Sequence, residues 1–212
     1  MKIKWLGHAC FLLTSENGTR VLTDPFDDQV GYKLPEVEAD IVTTSHDHYD
    51  HNAVDVVKGN FTHINKPGSF EEKGIKITGI STFHDEAQGS KRGDNIVYVF
   101  EIDGIRICHC GDLGHPLSKE QIDEIGEIDV LLLPVGGIYT IDAAQACEVM
   151  ESIKPVITIP MHFQTPVLKF SLGTVDDFIA AAGGGEKINK QEIEITKDGL
   201  TNYSDIIILD YE

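Results

Sequence analysis

The sequence predicts an α/β protein with sheets in the middle and helices outside. Short β-branched or alternating apolar runs, bounded by turn residues, crowd the first half. After Cys110 the apolar period changes, and strand-like and helix-like segments alternate. No linker, low-complexity tract or repeat interrupts the 212 residues, so one domain is expected over 1–212.

The runs Ile3–Leu6, Cys10–Thr14 and Arg20–Leu22, with a turn at Glu16-Asn17-Gly18, read as a β-meander containing one hairpin. Asp24-Pro25 stops the third strand, and residues 27–40, carrying Gly31 and Pro35, read as an irregular loop. Ile41–Thr44 is a buried strand, and Asn52–Val57 begins a short helix. Further strands are expected near Phe61–Ile64, Ile75–Ile80, Ile96–Ile102 and Ile105–Cys110, the last two joined at the hairpin dipeptide Asp103-Gly104. Ser118-x-x-Gln121 is a capping box opening a helix through Ile125. Val130–Leu133 is an apolar strand ended by Pro134, and Thr140 is placed to cap a helix over Ile141–Ile153. Val156–Ile159 is a buried strand and Val175–Ala182 a helix closed by Gly183-Gly184-Gly185. Glu192–Thr196 and Ile206–Leu209 finish as strands.

A hydrophobic content of 41% supplies a substantial core. The 35 carboxylates against 17 Lys plus Arg give a formal charge of −18, which disfavours nucleic acid and other long polyanions as partners. Four cysteines are too few for a disulfide framework in a chain of this length. No apolar run approaches the roughly 20 residues of a membrane span, and the N-terminus lacks a signal-peptide core, so a cytoplasmic location is expected.

The informative stretch is Ser45-His46-Asp47-His48-Tyr49-Asp50-His51, an H-x-H-x-D-H pattern directly behind a buried strand. Imidazole and carboxylate suit divalent metals, and an α/β sheet builds its sites where strands empty into loops. Three more candidate ligands follow strands in the same way: His84, Asp112 and His162. Strands lying side by side would bring all of them to one sheet edge, as a dinuclear site requires.

With these residues the chain resembles the metallo-β-lactamase fold superfamily. The resemblance runs from Trp5-Leu6-Gly7-His8-Ala9 through Leu22-Thr23-Asp24-Pro25 and Gly111-Asp112-Leu113-Gly114-His115 to Met161-His162. These flanks are similar to the branch of ascorbate-6-phosphate lactonase-like hydrolases and the phospholipase D acting on N-acyl-phosphatidylethanolamines. The resemblance implies a four-layer αββα sandwich and two divalent metal ions, zinc first, with manganese or iron(II) suited by the same ligands. His46, His48 and His84 would hold one ion, Asp50, His51 and His162 the other, and Asp112 would bridge. The implied chemistry is hydrolysis of a small ester, lactone or phosphodiester by a metal-bridging hydroxide. Asp50 and His115 are the candidate proton donors. The antibiotic-cleaving members carry a cysteine where this chain has Asp112, which argues against β-lactamase activity. A nuclease, or a metal-binding protein without turnover, shares the ligand set and stands as an alternative.

Asp24 is expected to orient a ligand histidine through its free N–H. His8, Arg92 and Gly136-Gly137-Ile138-Tyr139 are candidates for the pocket, while His63 and His109 read as structural. Residues 27–40, 85–95 and 163–174 are the loops expected to set specificity for a small, anionic substrate. The apolar Phe163–Leu172 segment is suited either to cover the pocket or to meet another copy in a homo-oligomer.

Overall fold

The computed structural model describes residues 1–33 and 35–211; Leu34, within the first expected loop, and Glu212 lie outside the described residues. One six-stranded sheet comprises β1 (Lys2–Gly7), β2 (Cys10–Thr14), β3 (Arg20–Thr23), β4 (Ile41–Thr43), β5 (Thr62–Ile64) and β13 (Glu192–Glu194). Its order is β13-β1-β2-β3-β4-β5, antiparallel as far as β3 and parallel beyond. The other comprises β6 (Gly68–Glu72), β7 (Ile75–Phe83), β8 (Asp94–Ile102), β9 (Ile105–His109), β10 (Val130–Pro134) and β11 (Ile157–Met161). Its order is β11-β10-β9-β8-β7-β6, with the β9, β10 and β11 pairings parallel. Three helices, α1 (Lys119–Ile125), α2 (Ala143–Ile153) and α3 (Val175–Ala182), all fall in the second half.

Strand alternation divides the apolar residues between two clusters. Ile3, Trp5, Phe11, Leu13, Val21 and Ile41 enter the large core shared with Leu131, Leu133, Ile157 and α2 residues Ala146 and Val149. Their neighbours Leu6, Cys10, Leu22 and Val42 point the other way, to a smaller cluster with Phe26, Val30, Tyr32, Leu168 and Leu172. The sandwich therefore carries helices over its second sheet, while loops and a single 3-10 turn at Val54–Val56 cover the first. The expected helix from Asn52 shrinks to that turn. Leu168 and Leu172, from the 163–172 segment, are buried in the smaller cluster.

Two features depart from expectation. The cap of α2 is Asp142, whose carboxylate accepts the Gln145 N–H at 2.9 Å while the Gln145 side chain returns to Asp142 N at 3.2 Å; Thr140 lies outside the helix. β6 was not expected, because its residues are mostly exposed and it is held chiefly by its ladder to β7. Pro134, in register opposite Met161, is the last residue of β10, as expected. No helix among the described residues is long and apolar enough to cross a membrane.

Candidate metal centre

The candidate residues all follow the C-terminal ends of strands. His8 follows β1, Asp24 follows β3, and His46, His48, Asp50 and His51 follow β4. From the second sheet, His84 follows β7, Asp112 follows β9 and His162 follows β11. Each of these strands runs in the direction of its sheet's parallel members, so one edge of the sandwich receives them all.

Asp112 lies at the middle. Its Oδ2 is 3.2 Å from both His84 Nε2 and His162 Nε2, and its Oδ1 is 3.2 Å from His51 Nε2. Ligand-capable atoms converge in three overlapping sets: His46, His48 and His84; His8, Asp50, His51 and His162; and His46, His51 and Asp112. The third set links the other two. His46 Nε2, His51 Nε2 and Asp112 Oδ1 are buried and, beyond the 3.2 Å approach of the last two to each other, make no hydrogen bond among the described residues. A buried polar atom without a partner costs about 1–3 kcal/mol, so three at one point fit a cation that would satisfy them together.

Second partners fix which nitrogen of each ring is free. His51 Nδ1–H donates to Asp24 Oδ2 at 2.9 Å. The Ser45 hydroxyl donates to the same oxygen at 2.6 Å, and His46 Nδ1–H donates to that hydroxyl at 2.9 Å. Asp24 thus holds His51 directly and His46 through Ser45, leaving both Nε2 atoms for a metal. Sequence reasoning missed Ser45. Asn95 pins the other side, its Oδ1 accepting the Asp112 N–H at 2.9 Å and its Nδ2 donating to the Cys110 carbonyl at 3.0 Å.

Burial above all, then the charge of neighbouring imidazoles, holds His8 and His46 down to about 3. Burial likewise lowers His48. These rings are neutral at physiological pH and present lone pairs. Burial would raise the Asp112 carboxyl, but His162 and His51 outweigh it and keep it well below the usual range. Burial raises Asp50 as well, and the hydrogen bond from His8 and the charge of His51 override it. The same opposition raises His51: burial lowers it, and Asp112 and Asp24 more than compensate.

The structure brings together all seven expected ligands and adds His8, whose Nε2 lies 3.2 Å from Asp50 Oδ2. The turn carrying His8 follows a register shift between β1 and β2, and its carbonyl accepts the His162 N–H at 3.1 Å. His115 is a correction. Its Nδ1 is 2.8 Å from the Pro116 carbonyl and its Nε2 accepts the Phe83 N–H at 3.1 Å, so both nitrogens are spent on backbone and neither can pass a proton into the cleft. Glycines make room at two candidate ligands: a Cβ on Gly114 would strike the His84 carbonyl, and one on Gly136 the His162 carbonyl.

A cleft of about 530 Å³ opens over Asp50, His84, Asp112 and His162, walled by Tyr139, Phe170 and Arg92. A hollow of about 630 Å³ reaches His46 and His48 from the other side, past Asn65, Lys66 and Ser81. Of the loops expected to set specificity, 85–95 and 163–174 reach the 530 Å³ cleft and the described part of 27–40 does not.

A family model for the beta-lactamase superfamily domain matches residues 2–162. A UPF0173 metal-dependent hydrolase of Archaeoglobus fulgidus is 33% identical over 78% of this chain and 84% of its own length. One from Thermoplasma volcanium is 34% identical over the same 78% and 84%. A crystal structure from Thermotoga maritima, assigned to the Zn-dependent hydrolases of the metallo-β-lactamase superfamily, superposes with a TM-score of 0.82 at 45% identity, covering 98% of this chain and 97% of that one. The Bacillus subtilis protein YhfI, 13% identical with a TM-score of 0.67 over 99% of this chain and 96% of its own, shares the fold.

Proposed function

The chain belongs to the metallo-β-lactamase superfamily, among its metal-dependent hydrolases, and on that premise we propose that it is a dinuclear enzyme cleaving a small ester, lactone or phosphodiester. His46, His48 and His84 would hold one ion, Asp50, His51 and His162 the other, and Asp112 would bridge them. The observation carrying this reading is that the set His46, His51 and Asp112 joins the two outer sets through buried atoms lacking any other partner. The imidazole-rich donors suit zinc first, with manganese and iron(II) also accommodated.

When bound, two divalent ions make a shared water acidic near neutral pH and polarise the bond to be cleaved. The chain supplies the rest. Asp24 and Ser45 hold the rings of His51 and His46 in one tautomer, and Asn95 fixes the Asp112 backbone. Asp50 faces the cleft, takes the hydrogen bond of His8 and is the group placed to carry a proton to the leaving group. Because both sheets contribute ligands, residues 1–212 work as one catalytic domain, acting on a small molecule in the cytoplasm.

Elemental mass spectrometry on untagged protein, beside Asp112→Ala, tests the proposal. About two ions per chain are expected, as in two-metal sites generally, with fewer in the variant. Protein that stays metal-free after zinc or manganese is supplied would defeat it.

A further inference from the structure

We propose that the substrate carries an anionic group apart from the bond that is cleaved, and that Arg92, with Lys91 beside it, anchors that group. The proposal deepens the hydrolase reading and rests on it.

The loop after His84 is a built turn. Asp85, buried, accepts four backbone N–H groups: Ala87 at 2.7 Å and Gly89 at 3.1 Å on Oδ1, Lys91 at 2.9 Å and Arg92 at 2.8 Å on Oδ2. The turn is closed by His84 N–H on the Gly93 carbonyl at 3.0 Å and Gly93 N–H on the Gly89 carbonyl at 2.8 Å. Two cationic residues are thereby fixed to the segment that begins at a candidate ligand. Arg92 then crosses the mouth of the cleft. Its Nη2–H donates to the Ile138 carbonyl at 3.0 Å, and the guanidinium carbon lies 5.4 Å from the centre of the Tyr139 ring. These contacts orient the fork and leave most of its five N–H donors free.

Neither Arg92 nor Lys91 forms an ion pair with a carboxylate among the described residues, in a chain of formal charge −18. They are the Lys and Arg residues of the 530 Å³ cleft. Beside them the walls are apolar: Phe170 meets Tyr139 edge-on at 6.1 Å, and Ile138 is 59% exposed. A compact substrate fits this arrangement, with its reactive bond over Asp112, its apolar body along Tyr139 and Phe170, and a carboxylate or phosph(on)ate against Arg92.

The test compares zinc-loaded wild type, Arg92→Ala, Arg92→Lys and Lys91→Ala on three esters with one leaving group. These are 4-nitrophenyl valerate, mono-4-nitrophenyl glutarate and 4-nitrophenyl 3-phosphonopropionate, so that carboxylate and phosphonate are read separately. Wild type should prefer at least one anionic ester over valerate by about tenfold or more in kcat/KM, the worth of a charge-assisted hydrogen bond. That preference should collapse through KM in Arg92→Ala and partly return in Arg92→Lys; a merely structural role would not move it. Equal turnover of all three esters by wild type, or a preference that survives Arg92→Ala, overturns the proposal. Binding of glutarate alone, read by amide chemical shifts, separates the two readings. Arg92-dependent glutarate binding without turnover of any ester would keep this inference and defeat the hydrolase. Turnover without Arg92 dependence would do the reverse.

Discussion

Replacing Asp24 by asparagine exchanges one atom and should disable the metal-facing nitrogen of His51 from the opposite side of its ring. In the wild type the Asp24 carboxylate accepts Ser45 N–H at 2.8 Å, Ser45 Oγ–H at 2.6 Å and His51 Nδ1–H at 2.9 Å. Asparagine keeps one acceptor, which can still serve the Ser45 amide, so the β3–β4 edge has reason to stay folded. Its other end becomes an NH2 donor facing His51 Nδ1. Two donors cannot face each other, so the proton of His51 moves to Nε2, the atom 3.2 Å from Asp112 Oδ1. A protonated Nε2 has no lone pair for a metal. Loss of an outer-shell partner typically weakens metal affinity 10–100-fold, or about 1.4–2.7 kcal/mol, and His46, linked through Ser45, adds to the loss. The assay is a chelator competition titration of zinc, paired with ring 15N shifts of His51 in the metal-free protein, read at a pH above its raised titration so that the ring is neutral and its tautomer is defined. Unchanged zinc affinity in a folded Asp24→Asn protein with its proton moved to Nε2 would refute the argument, because His51 would then not be a ligand.

Two further outcomes follow from the same geometry. His8 and His46 are held at about 3 in the metal-free fold against an ordinary 6.5, so each contributes stability that is present above 6.5 and lost as pH falls towards 3. Integrating the proton uptake of this pair from pH 6.5 to 5.5 gives a loss of about 2 kcal/mol; His51, shifted upward, opposes it only weakly in that window, and a urea midpoint that holds or rises on acidification would contradict the assignment. Gly136→Ala should lower both zinc retention and the melting temperature, since the new methyl meets the His162 carbonyl and overpacking costs about 1–3 kcal/mol; wild-type values for both would show that the His162 backbone yields freely.

Much of the scaffold was legible because its signals are local. The capping box Ser118-x-x-Gln121 opens α1 as read, and Thr174 caps α3, whose C-terminal Gly183 sits at φ 82°. Asp142-x-x-Gln145 carries the same capping pattern two residues beyond Thr140. β6 has no apolar rhythm, so nothing short of its pairing with β7 reveals it. At the site, the density of histidines after β4 and the strand-end positions of His84, Asp112 and His162 were sufficient to nominate them. The roles of Ser45 and His8 were not, because each depends on a distance between separate strand ends: Ser45 to Asp24 after the neighbouring strand, and His8 to Asp50 in its own sheet and to His162 of the other. His115 misled for the converse reason, since nearness in sequence to Asp112 says nothing about where an imidazole turned back onto Phe83 and Pro116 will point.

The candidate ligands come from the ends of strands in both sheets, and all four cysteines are free, so no disulfide ties one sheet to the other. Any ion shared between His51 and His162 therefore works as a detachable staple between segments far apart in the chain. Contacts of that span carry a large loop-closure entropy, so an ion holding them closed adds to what the shared core already does to keep the two sheets together. Binding to the folded state alone suppresses opening in proportion to free ligand over Kd. The lifetime of this protein against proteases would then follow the supply of divalent metal around it, and scarcity would thin the enzyme's numbers as well as silence its centre.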